Sequence, residues 1–564
     1  MKTKNIKRLG LFIKPSVDAI YYEGVGGING SAKFQVEFAN CIYKYGTFDE
    51  YHCFCKKFEK EYYLPDKRFK IIPINMIAEY LKKYHYTCFH HTGPSLKYYL
   101  LKYRQNISKN LFPYTTTTHS ISYSYMVGKT FLPYCLHKLF PFDSIFCCSE
   151  AVKKTLSIYF ELIQSYYQVE QYPYEGQMLV TPHGIDGDFF RKNKISQIAA
   201  KKKFKLAQDS MVILYFGRIS VALKKDILPL ISIFNEILKG NPEKKIYLLI
   251  AGNNEELQKN NFFHKRHLLI ETYLKELNLE KNIHFYNCPS DIIKVHLFSA
   301  ADIFISLSDS IQESFGLSII EAQASGIPVI ASDWNGYRDL IKNKQNGFLI
   351  PTYWQKDVEL DNMSKYKKIE YYHYRQAQSV AIDMNQLKNI LEKVIFNKDF
   401  LRMLKKNTTK YSMEYDWSNS LKKYEENWLY LSEKSEFMSN KFGLKTLRNI
   451  DPIINYKNNK YEIKDFPISY YQSFKHFATE IVNENWCITL GCVSNVLIDA
   501  ARNNLDTKLL ILIIKITFQE LSKTSKFKIT QLAKILNKYG HNNIEDIIRH
   551  LMWLFKQGNL HLIK

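Results

Sequence analysis

Residues 301–331 constrain this chain more than any other stretch. Ala301-Asp302-Ile303-Phe304-Ile305-Ser306-Leu307 is a nearly continuous apolar run, as a parallel strand buried on both faces requires. Glu313-Ser314-Phe315-Gly316-Leu317-Ser318-Ile319-Ile320-Glu321 follows, then small residues up to Gly326, Pro328 and a second apolar run from Val329. The pattern predicts strand, loop, helix closed by a glycine, and strand. Glu313 then falls in the loop and Glu321 about two turns into the helix. The helix start at Phe315, Gly316, Leu317 and Ser318 offers unbonded backbone N–H groups and the positive end of the helix dipole, which suits a phosphate. A carboxylate on each side of such a site can hold sugar hydroxyls.

This run resembles the signature of retaining glycosyltransferases of family 4, which have the GT-B fold. That signature is two Glu separated by seven residues, a small-residue helix and Gly-x-Pro-Val, present here as Glu313, Glu321 and Gly326-Ile327-Pro328-Val329. Asp333-Trp334-Asn335-Gly336-Tyr337-Arg338-Asp339 and Asn346-Gly347-Phe348-Leu349-Ile350-Pro351 extend the match. The resemblance covers residues 9–431, is strongest over 210–350 and thinnest over 50–110. It implies an α/β chain of two Rossmann-like doubly wound domains facing one cleft. The implied reaction moves a hexose-type sugar, with retention, from a nucleotide-diphosphate sugar to a glycan, lipid-linked or peptide acceptor.

The resemblance also implies roles for particular residues. Glu313 would hold the donor sugar's hydroxyls and Glu321 the ribose. Arg218, directly after Gly217, and Lys224 would grip the diphosphate, with Lys225 as the alternative to Lys224. Two cations there can offset charge building on a departing nucleoside diphosphate. His119, at the end of a strand over 112–118, would sit beside the reacting carbon. Gly27, in the loop Gly24-Val25-Gly26-Gly27-Ile28-Asn29-Gly30, would approach the donor phosphates. The loops carrying Arg218, Lys224 and Glu313 hold no Asp-x-Asp clamp, so no metal and no cofactor beyond the donor is expected.

The rest of the chain reads as alternating strands and helices, which indicates two doubly wound α/β domains. Strands are expected at 9–13, 112–118, 146–148, 212–216, 247–252 and 283–288. Helices are expected over 31–45 and from Lys224 onward. In the resembling fold the loop after 283–288 holds the nucleotide base through its backbone, and a last helix around Trp428 crosses back onto the first domain. The aromatic, basic stretch from Tyr123 to Phe142 reads either as an acceptor-side surface or as core.

At 564 residues the chain exceeds a single core. Three domains are expected: 1–185, Rossmann-like, on the acceptor side; 186–437, Rossmann-like, on the donor side with the closing helix; and 438–564, mainly helical. Asn449–Lys464 reads as a polar linker. Beyond it, helices over 529–536 and 544–557 and a terminal strand are winged-helix-like. The second of these helices has few polar side chains to read DNA, so a protein partner or self-association there is favoured over nucleic acid. An inactive platform that binds through this tail is the competing reading; the presence together of Arg218, Lys224, Glu313 and Glu321 argues against it.

The formal charge of +23 favours anionic partners. Ten cysteines without Cys-x-x-Cys spacing point to reduced thiols. The apolar run after the basic N-terminus stops at Lys14 and Pro15, too short for a signal-peptide core, and Leu509–Ile514 is too short for a membrane span. A cytoplasmic protein is expected, with peripheral membrane contact left open.

Overall fold

The computed structural model describes residues 6–12, 30–55, 66–119, 121–167, 173–221, 224–253, 264–357, 361, 369–450, 469–494, 496, 498–501 and 505–564. Gly27 and the linker over 451–464 lie outside the described residues. The chain forms two compact units, one of residues 1–186 and 414–467, the other of residues 187–413 and 468–564.

The first unit is built on a parallel sheet of strands β1 (Arg8–Phe12), β2 (Glu50–Cys55), β3 (Phe69–Pro73), β4 (Cys88–His91), β5 (Tyr114–Thr117), β6 (Ser144–Cys147) and β7 (Gln177–Val180). Its order is β3-β2-β1-β4-β5-β6-β7, so the winding reverses between β1 and β4. The expected helix over 31–45 is present as Gly30–Tyr45. Helix Trp417–Phe442 packs on this unit: Trp417, Leu421, Tyr424, Trp428 and Leu431 share a core with Leu9, Phe34 and Phe38. Glu425 fixes its register by accepting from the Thr47 backbone N–H at 2.8 Å and the Thr47 hydroxyl at 2.6 Å. The sequence grouped this helix with residues 186–437; its aromatic stripe places it here, as the crossing-back expectation had it. In helix Ser124–Leu136, Phe131, Leu132 and Tyr134 are buried, so this part of the aromatic stretch is core.

The second unit carries a parallel sheet of β8 (Met211–Phe216), β9 (Ile246–Gly252), β10 (Ile283–Asn287), β11 (Ile303–Ser306), β12 (Val329–Ser332) and β13 (Gly347–Ile350). Its order is β10-β9-β8-β11-β12-β13, reversing between β8 and β11. Ligands of doubly wound sheets bind beyond the carboxyl ends of the strands at such a reversal. The loops in question start at Gly217 and at Leu307. The helix expected from Lys224 begins instead at Leu228, with Pro229 in its first turn. Lys224 and Lys225 stay in the preceding turn, where both backbone N–H groups donate to the Ser220 carbonyl.

The tail corrects the three-domain expectation. Residues 468–564 are not a separate domain but share one core with the second sheet. Strand β14 (Thr352–Trp354) pairs antiparallel with β15 (Val380–Ile382) and parallel with β16 (Glu480–Ile481), a strand supplied by the tail. The remaining strands, β17 (Cys487–Leu490), β18 (Phe527–Lys528) and β19 (Leu560–Ile563), form an antiparallel sheet with helices Thr507–Leu521, Ile529–Asn537 and Ile544–Lys556. The winged-helix-like pattern is thus present, but helix Ile544–Lys556 is buried over most of its length and is not displayed to a partner. A polar linker-like run precedes the tail, yet Trp486, Leu510, Leu551 and Phe555 demand burial, and the second unit meets that demand.

Candidate functional site in the second unit

Four of the sequence-predicted residues come together at the β8/β11 reversal. Strand β11 is fully buried, and the chain leaves it through Ser308–Ser310, whose backbone is tied down on two sides. The Ser332 hydroxyl donates to the Ser308 carbonyl at 2.7 Å, and the Trp334 indole N–H donates to the Ser310 carbonyl at 2.9 Å. This fixes the approach to Gln312 and Glu313.

Glu313 is 9% exposed and faces both lysines. The Lys224 ammonium lies 3.4 Å from Glu313 Oε2. The Lys225 ammonium donates to Ser306 Oγ at 2.6 Å; Ser306 lies 2.9 Å from the Tyr337 hydroxyl, which in turn donates to Glu313 Oε2 at 3.3 Å. Burial pushes the Glu313 carboxyl up, but Lys224 and Lys225 outweigh it and hold it below the usual range. Burial lowers Lys225 to about 8, against the pull of Glu313. Both lysines that the sequence left as alternatives therefore serve the same carboxylate. Arg218 joins through Gln312, with Nη2 donating to Gln312 Oε1 at 3.2 Å.

Phe315, Gly316, Leu317 and Ser318 lead into helix Leu317–Ala324. Gly316 caps it at φ 116°, a conformation that disfavours any side chain. A Cβ there would also lie 2.7 Å from the Tyr337 ring. The first N–H groups of the helix thus keep a bare backbone in front of them, beside the same Tyr337 that holds Glu313.

Glu321 is buried on this helix, and the structure gives it a partner that sequence reasoning missed. Lys294, from helix Asp291–Ala300, donates to Glu321 Oε1 at 2.5 Å, with both side chains almost fully buried. The Lys294 ammonium also lies 5.2 Å from the ring centroids of Phe190 and Phe216. Tyr337 and Gln312 were likewise not assigned a role from the sequence. Beyond β10, a cavity of about 380 Å³ is lined by Ile219, Ile250, Phe285, Tyr286 and Asn287 among others. It adjoins the strand end where the resemblance expected the base.

His119 belongs to the first unit. It follows β5, is 8% exposed, and its Nε2–H donates to the Thr92 carbonyl at 2.7 Å. Its ring meets Phe34 edge-on at 4.7 Å and lies 5.3 Å from the His183 ring. Burial lowers its pKa to about 4, so it is a neutral imidazole at ordinary pH.

Residues 196–374, which include Arg218, Lys224, Glu313 and Glu321, match the family model described as Glycosyl transferases group 1. The chain is 31% identical over 173 residues to D-inositol 3-phosphate glycosyltransferase of Nocardia farcinica, covering 30% of this chain and 36% of the relative. It is 26% identical over 240 residues to alpha-monoglucosyldiacylglycerol synthase of Streptococcus pneumoniae, covering 42% and 48%. The chain thus spans less than half the length of the curated relatives it matches here. Among solved structures, sucrose-phosphate synthase from Thermosynechococcus elongatus matches with a TM-score of 0.47 at 18% identity, over 77% of this chain and all of that one. Among the described residues, no helix is long and apolar enough to cross a membrane.

Proposed function

We propose that this chain is a retaining glycosyltransferase that moves a hexose-type sugar from a nucleotide-diphosphate sugar to a glycan, lipid-linked or peptide acceptor. The observation that carries the reading is Glu313 paired with Lys224 and linked to Lys225 through Tyr337 and Ser306, next to the Gln312 that Arg218 binds, at the winding reversal and just ahead of a helix start. A donor offers hydroxyls to the carboxylate and diphosphate oxygens to the ammonium and guanidinium groups. Arg218, Lys224, Lys225 and the first N–H groups of helix Leu317–Ala324 stabilise charge on the leaving diphosphate, so transfer proceeds without a metal. Glu313 orients the sugar. Glu321, held by Lys294, takes the ribose hydroxyls. Neutral His119, in the first unit, orients sugar or acceptor through a hydrogen bond.

The test is donor turnover by the purified full-length chain. UDP-, GDP- and ADP-hexoses are each supplied with and without a chelator, and the released nucleoside diphosphate and the anomeric configuration of the product are read. One donor should be consumed, chelator-insensitively, with its configuration kept. Consumption of none, inversion, or strict dependence on Mg²⁺ or Mn²⁺ would refute the corresponding part of the reading.

A further inference from the structure

The buried helix Ile544–Lys556 ends against the site loop. Lys556 is 2% exposed and its ammonium contacts Asp309 Oδ2 and donates to the Ala377 carbonyl at 2.6 Å. Asp309 is itself 2% exposed and lies between Ser308 and Ser310, the two residues whose carbonyls are pinned by Ser332 and Trp334. Three residues further on is Gln312, the partner of Arg218, and then Glu313. Lys556 is therefore the side chain through which the tail grips the loop that presents Glu313.

A second contact works on the same neighbourhood. Arg338, one residue past Tyr337, donates to the carbonyls of His476 and Phe477 at 2.9 and 3.0 Å. The Phe477 ring packs edge-on against Trp334 at 5.6 Å. The tail thus backs both the Ser308–Glu313 loop and the Trp334–Tyr337 segment that hydrogen-bonds to it. A third contact reaches elsewhere: Arg549, on the same helix as Lys556, binds Asp357 with Nε and Nη2 at 2.8 and 3.0 Å.

We propose that Lys556 is a positioning residue of the donor site, holding the loop that carries Gln312 and Glu313 through Asp309, and that the tail is thereby part of the donor-binding machinery rather than an accessory. The donor role rests on the function proposed above; the mechanical link does not. A buried ammonium and a buried carboxylate in direct contact form a strong, directional tether, because neither has water to compete for it. Burial pushes the Asp309 carboxyl up to about 6 even against Lys556, and Asp226 adds to the rise. Without Lys556, Asp309 can take up a proton instead of remaining as an unpaired buried charge. Lys556→Met then unties the loop while the fold survives.

The experiment compares Lys556→Met with Arg549→Met in the full-length chain. Both remove one cation from the same tail helix, but only Lys556 reaches the site loop. Amide hydrogen exchange at residues 308–316 of the ligand-free protein should rise at least tenfold in Lys556→Met and stay at the wild-type rate in Arg549→Met. The affinity of the nucleoside diphosphate that binds the wild type, drawn from UDP, GDP and ADP, should fall at least tenfold in Lys556→Met alone. Should Lys556→Met not fold, Asp309→Asn/Lys556→Met, which leaves no unpaired charge, gives the same readouts. Wild-type exchange at 308–316 in these variants, or an equal rise in Arg549→Met, overturns the inference. A wild-type chain that binds none of the three overturns the proposed donor role, and the exchange data then decide the tether alone.

Discussion

Replacing Lys294 by Met should destabilise the second unit sharply, and by an amount the geometry sets. The ammonium lies 2.5 Å from Glu321 Oε1, with the two side chains 6% and 3% exposed. Breaking a pair this buried leaves the remaining carboxylate without its counter-charge, at a cost of about 3–5 kcal/mol. In a unit of this size about 1 kcal/mol moves the melting temperature by roughly 2 °C, so the midpoint should fall by roughly 6–10 °C. The double variant Lys294→Met/Glu321→Gln removes both charges and should recover most of the loss, because the penalty comes from the unpaired ion rather than from the missing bond. Thermal and urea unfolding of the wild type, both single variants and the double variant close the cycle. A Lys294→Met protein that melts with the wild type, or a double variant no better than the single, would show that the pair is not the buried, mutually dependent unit described here.

Glu313→Ala should leave a folded chain whose donor turnover falls by about two to three decades, the loss of ~2–4 kcal/mol of charge-assisted bonding; near-wild-type turnover in the folded variant removes Glu313 from the site. Lys225, lowered to about 8, should make nucleoside-diphosphate affinity fall as pH rises through 8, and Lys225→Met should abolish that step. The folded state releases this proton near 8 and the unfolded chain only near its ordinary value, about 10.4. Lys225 therefore makes the protein more stable across that window as pH rises, and the affinity loss cannot be assigned to unfolding at this group. An affinity flat from pH 7 to 9.5 would refute the assignment.

Much of the second sheet and its site was legible because parallel strands buried on both faces announce themselves as apolar runs. Residues 301–331 gave the strand, loop, helix and strand in order, and Arg218 after Gly217 fell where the winding reverses. Lys294 was not legible, because its partner Glu321 sits on another helix and one lysine on an amphipathic helix looks like any solvated one. The two lysines after Ser220 could not be ranked by spacing alone, since they share one turn and Lys225 meets Glu313 only through Ser306 and Tyr337, contacts that spacing does not show. The tail was misread for a physical reason as well. A polar run at 449–464 marks composition, not independence, and β16, two residues long, carries no periodicity that could betray its pairing with β14.

The interleaving of the chain has a consequence for how the protein is made. The first unit is completed only when Trp417–Phe442 has been synthesised, and the second only when residues 468–564 have followed. A nascent chain that has not yet reached residue 468 therefore exposes the edge of β14 that β16 later covers and the apolar seat of helix Ile544–Lys556. Those surfaces invite misassembly until residues 468–564 dock. A stop codon at Ile544 deletes helix Ile544–Lys556, β19, the Lys556 grip on Asp309 and a wall of the core. Nonsense changes between residues 468 and 544 should behave in a cell as lesions of the second unit, cleared as unfolded protein, and not as the loss of an appendage.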